Sequence, residues 1–404
     1  AKDGEVTIMI RQTLLFSFET LMQYDESTRL FQVLSNIDVT PVLSKLDRPA
    51  GKSGPKGYSA EAMLCALIAQ RLCGIPTIVK LVERLRTDPR FRYDCGFSSL
   101  GTTPSSATFS RFFQTITNLE LAQDLFEKQV EQAQREQLIS SDSIAIDSSA
   151  IEAYEKTQSQ KKVSNSPNAQ WGVKRDTDGK RYSWFGYKLH AAVDAQSGLP
   201  IALITTPANV NDATQALPLM NNISQPVENW LMDAGYDAKE IYQAAWQRQS
   251  QAFIPMNLRG EKEPPEGFTK ERVPLCSAGY EMVYWGYDAK RKELKYRCPH
   301  VCGKVDCVQG SQWCSASNYG MVKKIQVEKD LRNCPPTPRH TKRWQSIYNQ
   351  RTSVERFFSM IKTHLGAERP NVCGIKKVHV HLLLCSVTLL AMARANQKQK
   401  KEAA

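Results

Sequence analysis

The chain has 404 residues, a formal net charge of +12 and 41% hydrophobic residues. That length allows two or three domains with a real core, and the charge favours a polyanionic partner, most simply nucleic acid. No apolar run is long enough to cross a bilayer and the first residues, AKDGEVTIMIRQ, do not read as a secretory signal, so membrane and secreted roles are set aside and a cytoplasmic protein is expected.

Residues 1–120 read as all-helical. SFETLMQYDESTRLFQVLSNI has helical spacing of apolar residues, and Arg48 to Gly57 (RPAGKSGPKG) reads as a linker. A helix is expected from Tyr58 to Gly74, with Ser59 as N-cap and Glu61 in its first turn. Pro76 and Thr77 open a second helix, and Thr102-Thr103-Pro104-Ser105 caps a third, SSATFSRFFQTI. Three short helices with tight turns resemble a helix-turn-helix unit, in which Ser105, Ser106, Thr108, Ser110 and Arg111 would touch DNA; a plain bundle fits equally. Leu119 to Gln137 continues as an amphipathic connecting helix.

From Ser143 the pattern changes. SIAIDSSAIEAY alternates like a strand, with Asp147 at the end of the run. Lys156 to Arg181 reads as a long basic loop, either a DNA contact or merely solvated. FGYKLHAAVDAQSGLPIALITTPA reads as two strands joined at Gln196-Ser197-Gly198. A helix over Asn211 to Met220 follows, then a strand in VENWLMDAGYD ending at Asp233, a helix over Ala238 to Arg248 and a strand in QAFIPMN. This order describes a mixed α/β sheet over residues 121–256, completed by residues 344–396. Ile375 to Asn396 is a closing helix, and Gln397 to Ala404 a charged, fraying tail.

Residues 257–343 read as an insertion without strong periodicity. Six of the eleven cysteines lie there: Cys276, Cys298, Cys302, Cys307, Cys314 and Cys334. In a reducing cytoplasm such clustering favours a metal over disulfides. A structural Zn²⁺ on four of Cys276, Cys298, Cys302, Cys307 and Cys314, or with His300 replacing one, is an expectation motivated by the absence of an obvious core. The alternative is a set of reduced cysteines packed as small apolar groups.

Tyr348 to Lys362, YNQRTSVERFFSMIK, carries the most specific pattern. At about 100° per residue, Tyr348, Arg351, Glu355 and Lys362 fall within roughly 60° of arc, so one helix face carries a carboxylate, two cations and a phenol. A solvated face with an Arg351–Glu355 pair would explain an isolated helix. Asp147 and Asp233 change the balance, because ligands gather at the carboxyl ends of strands in α/β sheets. Hard-oxygen donors favour Mg²⁺ or Mn²⁺, and two such ions suit phosphodiester chemistry.

On these residues the chain resembles the DDE transposases of bacterial insertion sequences. Tyr348, Arg351, Glu355 and Lys362 match the Y-R-E-K signature. Asp147 in AIDSSAIEA and Asp233 in LMDAGYDAKE resemble the two acidic motifs, and WFGYKLHAAVDAQSGLPI, with Lys188 and His190, the strand pair between them. YSAEAMLCALIAQRLCGIP resembles the amino-terminal helical domain of this group. The resemblance implies an RNase H-like catalytic fold and a homodimer on double-stranded transposon ends and target DNA. Asp147, Asp233 and Glu355 would hold two ions, while Arg351, Lys362 and Tyr348 hold DNA phosphates. Lys188 and His190 would be further contacts, although a strand histidine is more often structural. Relatives that stack a flipped base make Trp285, Trp313, Tyr287 and Trp230 candidates for that role. A nuclease, or a non-catalytic DNA-binding protein, on the same fold are the alternatives. A bacterial protein that joins the nucleoid when bound to DNA is expected.

Overall fold

A computed structural model describes residues 20–22, 28–46, 57–99, 101–155, 168–175, 179–258, 260 and 263–402. Most of the Arg48–Gly57 linker and of the Lys156–Arg181 loop lies outside these residues. The chain divides into two compact units, residues 1–125 with 391–404 and residues 126–390. The insertion belongs to the second of these.

In the first unit short helices are set by their caps. After α1 (Arg29–Leu34) and α2 (Thr40–Leu46), Ser59 caps α3 (Ala60–Leu72) by accepting from the Ala62 amide. α3 is buried nearly all round, through Met63, Leu64, Ala66, Leu67 and Ile68, which makes it the central helix of this unit. Thr77 caps α4 (Ile78–Thr87). The short helix α5 (Pro89–Asp94) follows, capped by Asp88 with Pro89 in its first turn. Ser105 caps α6 (Ser106–Asn118), whose Phe109, Phe113 and Ile116 are buried while Ser110 and Arg111 are exposed. The connecting helix α7 runs from Leu121 to Arg135.

The second unit is built on a six-stranded mixed sheet. Its strands are β1 (Ser143–Glu152), β2 (Gln170–Arg175), β3 (Arg181–Asp194), β4 (Pro200–Pro207), β5 (Asn229–Leu231) and β6 (Gln251–Phe253). Along the sheet the order is β2-β3-β1-β5-β6, with β4 also on β3. β1 is antiparallel to β3 and parallel to β5, and β5 is parallel to β6. Ile144, Ala145 and Ile146 are all fully buried, as expected of a strand covered on both faces. The β3–β4 hairpin turns where the sequence places it. Asp194 accepts from the Ser197 amide and hydroxyl, and Gly198 supplies the positive φ of 74°.

β2 was hidden inside the expected loop. It pairs with the first half of β3, and Gly186 (φ 154°) marks where β3 passes on to β1. A Cβ at Gly186 would meet the Ile151 carbonyl oxygen at 2.2 Å, so the close crossing of β1 and β3 there requires glycine. At Gly172 a Cβ would lie 2.4 Å from Trp184 Cζ2, because that indole lies across β2.

α8 (Ala216–Asn221) follows a 3₁₀ turn at Asp212–Gln215, and α9 (Lys239–Gln247) leads into β6. The insertion is more ordered than its composition suggests. β7 (Val283–Asp288), β8 (Glu293–Arg297) and β9 (Val322–Gln326) form an antiparallel sheet. Its inner face closes on a small core of Met282, Leu294, Tyr296, Val327 and Cys334. It is fastened to the main sheet's surroundings by an Arg332–Asp237 ion pair at 2.6 Å and by Arg339, which donates to the Ile254 carbonyl at 2.8 Å.

The Y-R-E-K segment is not one continuous helix. α10 (Lys342–Tyr348) passes through a 3₁₀ turn at Asn349–Arg351 into α11 (Thr352–Leu365), which packs on β1 and β3 through Val354, Phe357, Phe358 and Ile361. Gly366, at φ 72°, ends it. The closing helix α12 spans Ile375–Glu402, so residues 397–402 continue it instead of fraying. Contrary to the sequence expectation, α12 is long and apolar enough to cross a membrane by length and composition. However, 78% of its apolar window is buried inside the protein, as in a core helix.

Candidate active site

Asp147 does not end its strand, since β1 continues to Glu152. What ends is its parallel pairing with β5, whose last matched residues are Ala145 and Leu231. Asp147 and Asp233 each lie two residues beyond that pair, at the carboxyl end of the parallel ladder. The two aspartates thus stand at one level on adjacent strands, where α/β sheets place their ligands. Asp233 also caps the 3₁₀ turn Ala234–Tyr236, accepting from the Gly235 amide at 2.9 Å.

The environment of Asp147 raises its pKa to about 6. Burial is the main cause and the neighbouring Asp233 charge the next; Lys174, the Ser148 amide and Arg351 oppose them. The Ser148 amide donates to Asp147 Oδ1 at 2.7 Å.

The third element arrives from the helical segment. Arg351 Nη1 donates to Asp147 Oδ2 at 3.1 Å, and its Nη2 donates to Glu355 Oε1 at 2.5 Å. The guanidinium lies 6.0 Å from the Tyr348 ring centroid, and Tyr348 stacks on Trp344 at 4.7 Å. Burial raises the Tyr348 pKa, and Arg351 counteracts it. Arg351, Tyr348 and Glu355 are therefore gathered about Asp147 despite the break in the helix. Lys362 stands a turn and more further along α11, half-buried, with burial lowering its pKa and Glu368 opposing that.

The donor chemistry of the acids suits a divalent cation: hard oxygens only, one on β1, one just after the neighbouring β5 and one on the helix. In the present arrangement one arginine bridges two of the three acids. Among the described residues no group of three His, Cys, Asp or Glu side chains is placed to hold a metal ion. Arg351 instead bonds two of the three acids, and the Glu355 side chain is 54% exposed.

Two expected DNA contacts sit inside the protein. Lys188 and His190 are buried, and His190 has no exposure at all. Lys188 Nζ donates to the Val210 carbonyl at 2.8 Å and to Asp212 Oδ1 at 2.9 Å. His190 Nε2 lies 2.8 Å from Thr206 Oγ1. Burial lowers the His190 pKa, so the ring is neutral. For Asp212, burial acts to raise the pKa, but the Lys188 bond and charge prevail and lower it. These residues form an internal polar network; Asp212, its acidic member, is a residue the sequence reading missed. The Asn211 N-cap position was the available clue.

The zinc expectation finds no support among the described residues. Cys276, Cys298, Cys302, Cys307 and Cys314 all lie within the described residues, and none belongs to a metal-holding group. The insertion has its own apolar core, Cys298 and Cys334 are buried, and the motive for a stapling ion falls away. Of the aromatic candidates, Trp230 is core, donating to Ser250 Oγ at 2.8 Å, whereas Trp285 and Trp313 are more than half exposed. Arg111 is exposed on α6, its Nη2 3.4 Å from Thr108 Oγ1.

Comparison with known proteins gives two family matches. Residues 140–391, which carry all three acids, match the transposase DDE domain, and residues 18–115 match a further transposase domain of otherwise uncharacterised role. Among solved structures the chain is similar to the piggyBac transposase in a cryo-EM synaptic complex with hairpin DNA. The TM-score is 0.43 and the identity 10%, over 92% of this chain and 75% of that one. With more than half of its length matching the transposase DDE domain, the chain belongs to the DDE transposase family.

Proposed function

We propose that this chain is an active DNA transposase with an RNase H-like catalytic core. In this reading it cuts transposon-end DNA and joins the freed 3′-hydroxyl end to target DNA. The observation that carries the reading is the convergence on Asp147. Asp233 follows the end of the parallel ladder at the same level as Asp147, and Arg351 reaches Asp147 at 3.1 Å while bonding Glu355 on the helix.

Asp147, Asp233 and Glu355 are the residues that would hold two Mg²⁺ or Mn²⁺ ions. When bound, such ions supply activation of the attacking oxygen and charge neutralisation at the leaving oxygen. The chain's own residues prepare and orient the site. Burial around Asp147 excludes water and strengthens every charge interaction there. Arg351 is a bidentate donor matched to phosphate oxygens as well as to carboxylates, so a DNA phosphate competes for it with Asp147 and Glu355. Tyr348, held by its stack on Trp344, backs the guanidinium. Lys362 lies further along the same helix, as a second cation for the backbone. Arg111 on α6 is an outlying DNA contact, and a homodimer would bring two ends together.

The test is strand transfer. An oligonucleotide ending in the cognate transposon sequence with a free 3′-hydroxyl is joined to plasmid DNA by wild type. Asp147→Ala and Asp233→Ala are expected to bind the same DNA but not join it. Joining by either variant at the wild-type rate would remove that residue from the site.

A further inference from the structure

The hidden strand β2 carries a cation to the site that the Y-R-E-K signature does not include. Lys174 Nζ donates to the Ser148 carbonyl at 3.0 Å and lies 3.4 Å from Ser148 Oγ, one residue beyond Asp147. Its charge lowers the Asp147 pKa and also acts on Lys362. The side chain is half-buried. Several cations close to the catalytic sheet have carboxylate partners: Lys188 has Asp212, Arg332 has Asp237, and Arg351 has Asp147 and Glu355. Among the described residues, no carboxylate lies within 4.0 Å of Lys174. The carboxylates that feel its charge, Asp147 and Asp212, make no ion pair with it, so its direct partners are a neutral carbonyl and a nearby hydroxyl, and an anion beside it would add a charged partner.

The arm that carries Lys174 has a matching surface. Lys180 and Arg181 are exposed where β3 begins. Tyr182, 49% exposed, stacks on Trp184 at 5.9 Å with 15° between the rings, and Trp171 is 56% exposed. Basic side chains interleaved with exposed aromatic rings suit a nucleic-acid strand better than a protein surface. The arm also reaches the residue after Asp147, through the bond from Lys174 to Ser148.

We propose that Lys174 is a phosphate-binding residue of the active site. It holds a non-bridging oxygen of the DNA strand beside Asp147, and the β2–β3 arm forms one wall of the DNA channel. This rests on the reading of Asp147 as a strand-cleaving acid. Arg351 then binds a phosphate from the helix side and Lys174 another from the sheet.

The test is the salt dependence of binding to a fluorescent DNA duplex in the presence of EDTA, so that no cleavage is needed. Each phosphate contact contributes about 0.9 to the slope of log affinity against log salt concentration. Lys174→Gln keeps a donor for the Ser148 carbonyl but not the charge, and is expected to lower the slope by about 0.9 with an unchanged melting temperature. Lys174→Arg is expected to restore it. An unchanged slope in Lys174→Gln would overturn the proposal, as would a lowered slope that Lys174→Arg does not restore. If Lys174→Gln melts early, Lys174→Met, which keeps the aliphatic stem, is read by the same criterion at a temperature where it is folded. Failure of the cleavage reading would show separately, as wild-type protein that binds DNA with the Lys174-dependent slope but never cuts it.

Discussion

Arg351 Nη1 lies 3.1 Å from Asp147 Oδ2, across 204 residues of sequence. Because the same guanidinium also bonds Glu355, it bridges the two acids and offsets part of their charge. In the proposed site a metal ion would have to compete with Arg351 for the same oxygens, and a DNA phosphate would offer the arginine another partner. Arg351→Gln should raise the affinity of DNA-free protein for Mn²⁺ by roughly tenfold, the equivalent of about 1.4 kcal/mol, while lowering cleavage. Titration followed by the electron paramagnetic resonance of free Mn²⁺ measures it. Equal affinity in both proteins would mean that the guanidinium does not obstruct the site.

The raised pKa of Asp147 has a sign that can be worked out. Its value rises from 3.8 to about 6 in the folded protein, with burial as the main cause. Between those values the folded state binds more protons than the unfolded one. Stability is therefore fully present below the ordinary carboxylate range and is lost as pH rises toward about 6. The metal-free protein at neutral pH carries a penalty of at most about 3 kcal/mol from this group. Asp147→Asn should then raise the melting temperature of metal-free protein at pH 7, less the lost Arg351 ion pair, and the gain should shrink as pH falls to about 4. A gain independent of pH would contradict the assignment.

Lys188 and Asp212 form a buried pair, with side chains 9% and 24% exposed. Removing one partner leaves the other uncompensated. Lys188→Met is expected to lower unfolding free energy by about 2–3 kcal/mol in urea titrations and to leave the salt slope of DNA binding as in wild type. A changed slope with unchanged stability would restore Lys188 to the DNA contacts.

The insertion should not need zinc. Protein purified without added metal is expected to contain less than roughly a tenth of an equivalent of zinc and to melt at the same temperature with and without a chelator, because no ion adds to its folding energy. A full equivalent, with early melting on chelation, would reinstate the cysteine site.

The strand bearing Asp147 and the one leading into Asp233 were legible because buried runs and turn residues bound them, and Glu355 because the Y-R-E-K spacing is specific. The 3₁₀ turn at Asn349–Arg351 was not, since it leaves Arg351 and Glu355 four residues apart and bonded as in a helix. β2 was hidden by the polar residues flanking it and by Gly172, which serves Trp184 and not strand propensity. The buried partners of Lys188 and His190, Asp212 and Thr206, could not be read from the strand itself because they come from other elements. Charged outer faces in ELKYR and VKKIQ, among prolines and cysteines, masked the insertion's sheet, although both segments alternate between outer and inner faces.

The most direct test of the central claim is nicking of supercoiled plasmid by wild type and Glu355→Gln, with Mg²⁺, with Mn²⁺ and with EDTA. The substitution keeps the size and hydrogen bonding of the side chain but removes its charge. The account predicts metal-dependent nicking by wild type that disappears in Glu355→Gln. Nicking by Glu355→Gln at the wild-type rate would contradict it.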